Sequence, residues 1–293
     1  MMAFSSKIFI NCILCTFIAV GCSSLDEEKQ DASDSSQDNK DGDTSDIQDK
    51  FNKRSDFFDS TNDFQTITQP TLPASSNGSG GSTGLISDSY DFDGRTAKYA
   101  MYVPANPDSK PLSVIIYFHG DGGNSVNSGL IEKIGKNHNF IGIAMASPAE
   151  GSWWATLGPK NAEFIMSFFE DKVQKEYNVS NERLYFAGSS GGANFQSGML
   201  LPLYSYKYPI TSFNLCGGAK NILETYLFHD KVAARTQIYY IRATGDFLEE
   251  QIQESLDYYD DKGIGVLDKT LMDKKGHCSF DAYEEIKEYL PKI

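Results

Sequence analysis

The sequence predicts an α/β protein built on a mainly parallel sheet with helices on both faces. Three observations predict it. From Leu85 to Leu290, strand-like and helix-like segments alternate, the pattern of a crossover-connected sheet. Residues 112–118 and 140–146 are continuous apolar runs, as strands covered on both faces require. Nearly every strand-like segment ends in a glycine turn carrying a polar or reactive residue, and open α/β sheets bind ligands at the carboxyl ends of their strands.

The elements follow in order. Ser89 to Val103 alternates with period two around Asp93-Gly94, which predicts a hairpin. Leu112–Phe118 is a strand, Leu130–Asn137 a helix and Phe140–Ala146 a second buried strand. Asn161–Tyr177 is a long amphipathic helix with Phe164, Ile165, Phe168, Phe169 and Val173 on its apolar side. A strand from Arg183 ends at Gly188, and a helix-compatible stretch, Ala193–Leu201, begins just after. Strands at Thr211–Cys216 and Gln237–Ala243 come next, then a helix at Gln251–Tyr259. Val266–Met272 is the last strand and Asp281–Leu290 a closing helix. Residues 85–293 suffice for one domain with a sizeable core. No internal repeat is present.

What precedes that domain is different in kind. Lys7 is the only charge before the apolar stretch Ile8–Val20, which is short for a membrane span. The stretch ends in Ala19-Val20-Gly21-Cys22. Small residues before a cysteine resemble a bacterial lipobox, which implies cleavage after residue 21 and lipid on Cys22. An ordinary secretory signal is the alternative. Ser23 after the cysteine favours an outer-membrane destination by resemblance. Residues 22–84 carry thirteen acidic and five basic side chains, a net charge of −8 out of −14 for the chain. That composition predicts a disordered acidic tether, closing in the Gly/Ser-rich linker 75–84. An acidic exported chain without a basic stripe argues against a nucleic-acid partner. Cys12 and Cys15 leave with the signal, so Cys216 and Cys278 remain in an oxidising compartment. They form one disulfide or stay as two buried thiols.

Gly188-Ser189-Ser190-Gly191-Gly192 fits Gly-x-Ser-x-Gly directly after a strand and before a helix. A serine on such a sharp turn projects its hydroxyl outward, and the flanking glycines relieve crowding. Ser190 is therefore the candidate nucleophile. Acyl transfer also needs a base, a group to orient it, and N–H donors for the oxyanion. Of four histidines, His138 lies in a polar helix-to-strand turn, His229 sits among aromatics, and His119 precedes a Gly-rich loop. His277 alone follows the final strand, downstream of the serine and of an acid, and is the candidate base. Asp246 in Thr244-Gly245-Asp246 is the orienting acid; Glu249 and Glu250 are rivals that read as first-turn helix residues. The order Ser, Asp, His is that of α/β-hydrolases. Gly191 is one candidate oxyanion donor, with Asp121 or Gly122 as the second. Trp153 and Trp154 follow a strand end facing the same cleft and, with His119, are candidate substrate contacts; alternatively one Trp packs in the core.

His119-Gly120, Gly188–Ala193, Gly245-Asp246 and Gly276-His277 together resemble the α/β-hydrolase esterases of the feruloyl esterase, acetyl xylan esterase and poly(3-hydroxybutyrate) depolymerase group. The resemblance spans roughly residues 90–290. It implies an α/β-hydrolase fold and a serine carboxylic-ester hydrolase working by an acyl-enzyme, without metal or organic cofactor. Two features depart from that group. Phe247-Leu248-Glu249-Glu250 replaces its Pro-containing turn after the acid. Some of its members also link a cysteine beside the histidine to one beside the serine; here that neighbour is Ser189, and the resemblance points to Cys216 as the substitute partner of Cys278.

The chain between Ser190 and His277 has no insertion long enough for a large lid domain. An open cleft suits small or polymer-attached esters. A serine peptidase of the same fold would be expected to add a cap or propeller. A non-catalytic surface lipoprotein would be expected to have lost Ser190, Asp246 or His277.

Overall fold

The computed structural model describes residues 70–106, 109–123, 126–149, 151–153, 158–221 and 234–292. Strands β1 (Gly84–Phe92) and β2 (Arg95–Val103) form the expected hairpin, paired from Gly84 with Val103 to Phe92 with Arg95. Its Asp93-Gly94 turn has φ of 50° and 71°, the doubly positive twist that suits a two-residue hairpin. The hairpin starts at Gly84, before the expected Ser89.

The hairpin leads into β3 (Leu112–Phe118), β4 (Phe140–Met145), β5 (Val179–Ser189), β6 (Ile210–Leu215), β7 (Gln237–Thr244) and β8 (Gly265–Lys275). All eight lie in one sheet, ordered β1-β2-β4-β3-β5-β6-β7-β8. β1, β2 and β4 pair antiparallel, and every pairing from β4 through β3 to β8 is parallel. The chain leaves β3 toward β4 on one side and returns to β5 on the other. The loops after β3 and β5 therefore part above neighbouring strands, and a crevice opens there.

Helices cover both faces. On one side lie α1 (Ser128–His138) and α5 (Ala282–Ile286), whose Leu130, Ile131, Ile134 and Ile286 pack with Ile115, Phe140 and Phe213. On the other lie three helical segments. The first, α2, runs Gly158–Ser167 and continues through π-helical Phe168–Val173 into Gln174–Glu176. The second, α3, comprises Gly191–Phe195, π-helical Gln196–Leu200 and Leu201–Tyr204. The third, α4, is Glu249–Asp261. They bury Phe164, Phe168, Phe195, Leu200, Ile252 and Tyr259 against the strands. The expected helices are thus present, but two contain widened turns. In α2 that turn accompanies burial of consecutive aromatics: Phe168 meets Tyr90 and Tyr99, and Phe169 meets Tyr208.

The Gly/Ser segment expected to be a flexible linker is held against the domain instead. Ser76 donates from its N–H to the Val179 carbonyl (2.9 Å), and Gly80 to that of Glu176 (2.9 Å). Asn181 donates from its backbone to Ala74 (2.9 Å) and from its amide to Pro73 (3.0 Å). Small residues are needed for this close approach: a Cβ on Gly78 would lie 2.5 Å from the Tyr177 backbone. The signal, Cys22 and the acidic tether to residue 69 lie outside the described residues, as do Trp154 and His229.

Candidate active site

β5 ends in the residues that set the site. Ser190 follows with φ 52° and ψ −119°, an unusual conformation for a residue with a Cβ, and caps α3. Its N–H donates to the Leu215 carbonyl of β6 (2.9 Å), and its carbonyl accepts from Asn194 (3.0 Å). A Cβ on Gly188 would lie 2.6 Å from the Gly192 carbonyl carbon, and one on Gly192 would collide with the Phe118 carbonyl oxygen. The glycines therefore let strand, turn and helix close on one another.

β7 ends at Thr244, and Gly245 at φ 66° turns the chain into Asp246. The Asp246 side chain is fully buried. Its Oδ1 accepts from the Leu248 N–H (2.9 Å) and from His277 Nδ1 (2.8 Å). β8 ends beside it: Gly276 donates to the Thr244 carbonyl (2.9 Å), and Thr244 Oγ1 to that of Lys274 (2.7 Å). His277 is thereby aimed across the crevice, with Nε2 2.8 Å from Ser190 Oγ. With Nδ1–H bound by the carboxylate, Nε2 is left as the acceptor for the serine proton. Ser190, His277 and Asp246, separated by up to 87 residues, thus form one hydrogen-bonded chain.

The sulfurs of Cys216 and Cys278 are joined, with Cα atoms 5.1 Å apart. The link ties the loop of His277 to the end of β6, next to Ser190. These two sulfurs and His277 are the group of soft ligands close enough to share a metal among the described residues. Their donor atoms are already engaged, the sulfurs with each other and the imidazole with Asp246 and Ser190.

No family model matches the sequence, and no curated protein matches it. Solved structures do share its fold. A thermostable esterase superposes with a TM-score of 0.55 at 15% identity, over 70% of this chain and 62% of that one. The chain thus spans less than two thirds of that esterase's length. Fungal esterases from Rhizomucor miehei give 0.53 at 14% identity, over 73% and 84% of the two chains. A ferulic acid esterase gives 0.55 at 13% identity, over 70% and 95%. The chain has an α/β-hydrolase fold.

Within this α/β-hydrolase fold, four expectations for the site need correction or placement. Gly122 is not open as an oxyanion donor, because its N–H donates to the Gly151 carbonyl (2.8 Å). Among the described residues, no hydrogen bond uses the N–H of Gly191 or Asp121. Trp153 is fully buried, stacked on Phe195 (5.3 Å) and edge-on to Phe118 (5.3 Å), so it belongs to the core and not to the cleft. Trp154 lies outside the described residues. His119 is buried too, and both its nitrogens are occupied: Nδ1 donates to the Gly120 carbonyl (2.7 Å), and Nε2 accepts from the Ser147 N–H (3.0 Å). It fastens the β3 loop to the β4 loop and offers no group to a substrate.

One side chain expected to matter only through its backbone N–H, and one residue noted only as a departure after the acid, also stand at the site. The Asp121 carboxylate lies over Gly191, where an added Cβ would collide with it, and accepts from Ser152 Oγ (2.8 Å). Phe247 is exposed and lies against the His277 ring, with centroids 4.3 Å apart. The available signal for Phe247 was an apolar residue at a turn where an acid precedes and two glutamates follow.

The bonding of His119 has a pH consequence. Burial lowers its pKa from the usual 6.5, outweighing Gly120 and Asp121, which raise it. Below about pH 6.5 the unfolded chain takes up a proton that the folded one refuses, so stability present above that pH is lost as pH falls. The free energy of unfolding, measured by denaturant titration between pH 7.5 and 5.5, should fall by up to about 1.4 kcal/mol per pH unit from this group. His119→Asn should lack that component. An unchanged pH slope in the variant would contradict the assignment.

Proposed function

We propose that the chain is a serine carboxylic-ester hydrolase. The observation that carries this reading is the hydrogen-bonded chain from Ser190 through His277 to Asp246, at the carboxyl ends of three parallel strands. The esterase neighbours support the same class.

The mechanism follows from the atoms. Ser190 Oγ attacks the ester carbonyl carbon while its proton passes to His277 Nε2. Negative charge collects on the carbonyl oxygen, and the N–H groups of Gly191 and Asp121 are the donors available to it. Such a donor commonly contributes about 10²–10³ in rate. Collapse of the intermediate breaks the bond to the alcohol oxygen, which takes the proton from Nε2, leaving an acyl group on Ser190. Water, deprotonated by the same nitrogen, then releases the acid. Asp246 fixes the tautomer and stabilises the imidazolium formed in each half-reaction.

The substrate class we infer is a polysaccharide-linked feruloyl or acetyl ester, or a polyester. Hydrolysis of p-nitrophenyl acetate and butyrate by the full chain tests the reaction class. Ser190→Ala should abolish it, and Asp246→Asn should lower kcat by about 10⁴, as tautomer reversal does in related triads. A folded wild-type protein inactive on both esters would redirect the reading to a peptidase or a non-catalytic surface protein.

We further propose that Cys22 carries lipid, leaving the domain outside the cytoplasm on an acidic tether at a bacterial membrane, the outer one by preference. Two acyl-chain anchors give stable membrane attachment. The protein made in a bacterial host should enter the detergent phase on phase separation, and Cys22→Ser should move it to the aqueous phase. Identical partitioning of the two would refute the anchor.

A further inference from the structure

Phe247 is 74% exposed, although the next residue, Leu248, packs against the core. The other large apolar side chains exposed among the described residues are Leu85, Leu267 and Met272, on β1 and β8. Phe247 differs from them in what it touches. Its ring sits 4.3 Å from the His277 imidazole, tilted by 42°. Two constraints hold it there. Asp246, its chain neighbour, is fully buried and bonded to both Leu248 N–H and His277. The backbone on either side of Phe247 is therefore fixed relative to the imidazole.

The consequence rests on the ester-hydrolase reading. In acylation, the proton that His277 takes from Ser190 goes from Nε2 to the departing alcohol oxygen. The alcohol half of the ester must therefore lie beside the imidazole, whereas the carbonyl oxygen points toward the N–H groups of Gly191 and Asp121. The exposed ring packed on that imidazole is an apolar surface next to the group that protonates the alcohol. We propose that Phe247 is a specificity-determining residue for the alcohol half of the ester, its ring receiving the apolar face of an alcohol that itself carries a ring. Ring-to-ring contacts prefer offset or edge arrangements at the separations seen between aromatic side chains, and burial of a flat apolar face on an exposed one removes both from water.

A different role would be to prop the imidazole or stabilise its cation through the ring face. The two roles separate kinetically, because phenyl acetate and methyl acetate give the same acetyl-enzyme and differ only in the alcohol. Phe247→Ala should lower kcat/KM for phenyl acetate about tenfold and for methyl acetate less than twofold. Phe247→Tyr should restore the phenyl ester, and the pH profile of kcat/KM should not move. Equal losses on both esters, or a shifted pH profile, would assign Phe247 to His277 and overturn the proposal. Equal rates in wild type and variant would overturn it too. Binding of phenol to Ser190→Ala, followed by NMR titration, tests the platform without turnover. Adding Phe247→Ala should weaken that binding several-fold, and unchanged binding would overturn the proposal. Inactivity of the wild type on every ester would instead count against the hydrolase reading alone, with the phenol titration still deciding the role of Phe247.

Discussion

The site depends on one backbone conformation, that of Ser190 at φ 52°. A residue with a Cβ held there costs about 1–3 kcal/mol and persists only where its surroundings determine it from several directions. Here they do. β6 accepts its N–H, α3 donates to its carbonyl, and Gly217 packs beneath it, where a Cβ would lie 2.5 Å from the Ser190 carbonyl oxygen. The turn that follows β6 is pinned in its own right: Gly218 donates to Asn194 Oδ1 (2.8 Å) and Ala219 to Ser197 Oγ (2.8 Å). The half-buried hydroxyl is held toward His277 because the backbone beneath it is fixed from three sides.

The other half of the constellation is held by burial and covalent linkage. Asp246 is excluded from water, and its oxygen answers two N–H groups, so the carboxylate has one rotamer to offer the imidazole. The bond between Cys216 and Cys278 fixes the residue next to His277 to the strand end next to Ser190. A polar layer beneath α3 adds rigidity. Gln196 donates to the Phe213 carbonyl (2.7 Å) and to Asn214, and Tyr259 donates to the Ser197 carbonyl, all of them buried. These bonds tie the helix that follows Ser190 to β6 and α4, while Gln196 Oε1 and Asn214 Nδ2 have no partner among the described residues.

Much of this was readable in the sequence, and the physical reasons are specific. The hairpin was visible because Asp93-Gly94 permits a doubly positive turn. β3 and β4 were visible because doubly covered strands lose their alternation. Ser190, Asp246 and His277 were visible because glycine turns mark the carboxyl ends of parallel strands, and the fold brings those ends together. What failed depended on three-dimensional neighbours. Gly122 and His119 are consumed by the β4 loop, which no local pattern connects to the β3 loop. Trp153 is adjacent to Trp154 in sequence, and periodicity cannot say which ring turns inward. Residues 75–84 have the composition of a flexible linker, yet their small size is what lets them lie along Tyr177. The widened turns in α2 and α3 likewise answer packing that no intrinsic helix preference encodes.

The central claim is that Ser190 is made nucleophilic by the bonds that His277 and Asp246 supply. The most direct measurement is labelling of the purified chain with a fluorophosphonate, read by peptide mass spectrometry. The account predicts one adduct per chain, on the peptide at Ser190, formed slowly in His277→Gln and absent in Ser190→Ala. A folded protein that takes up no label, or takes it up equally fast without His277, would contradict it.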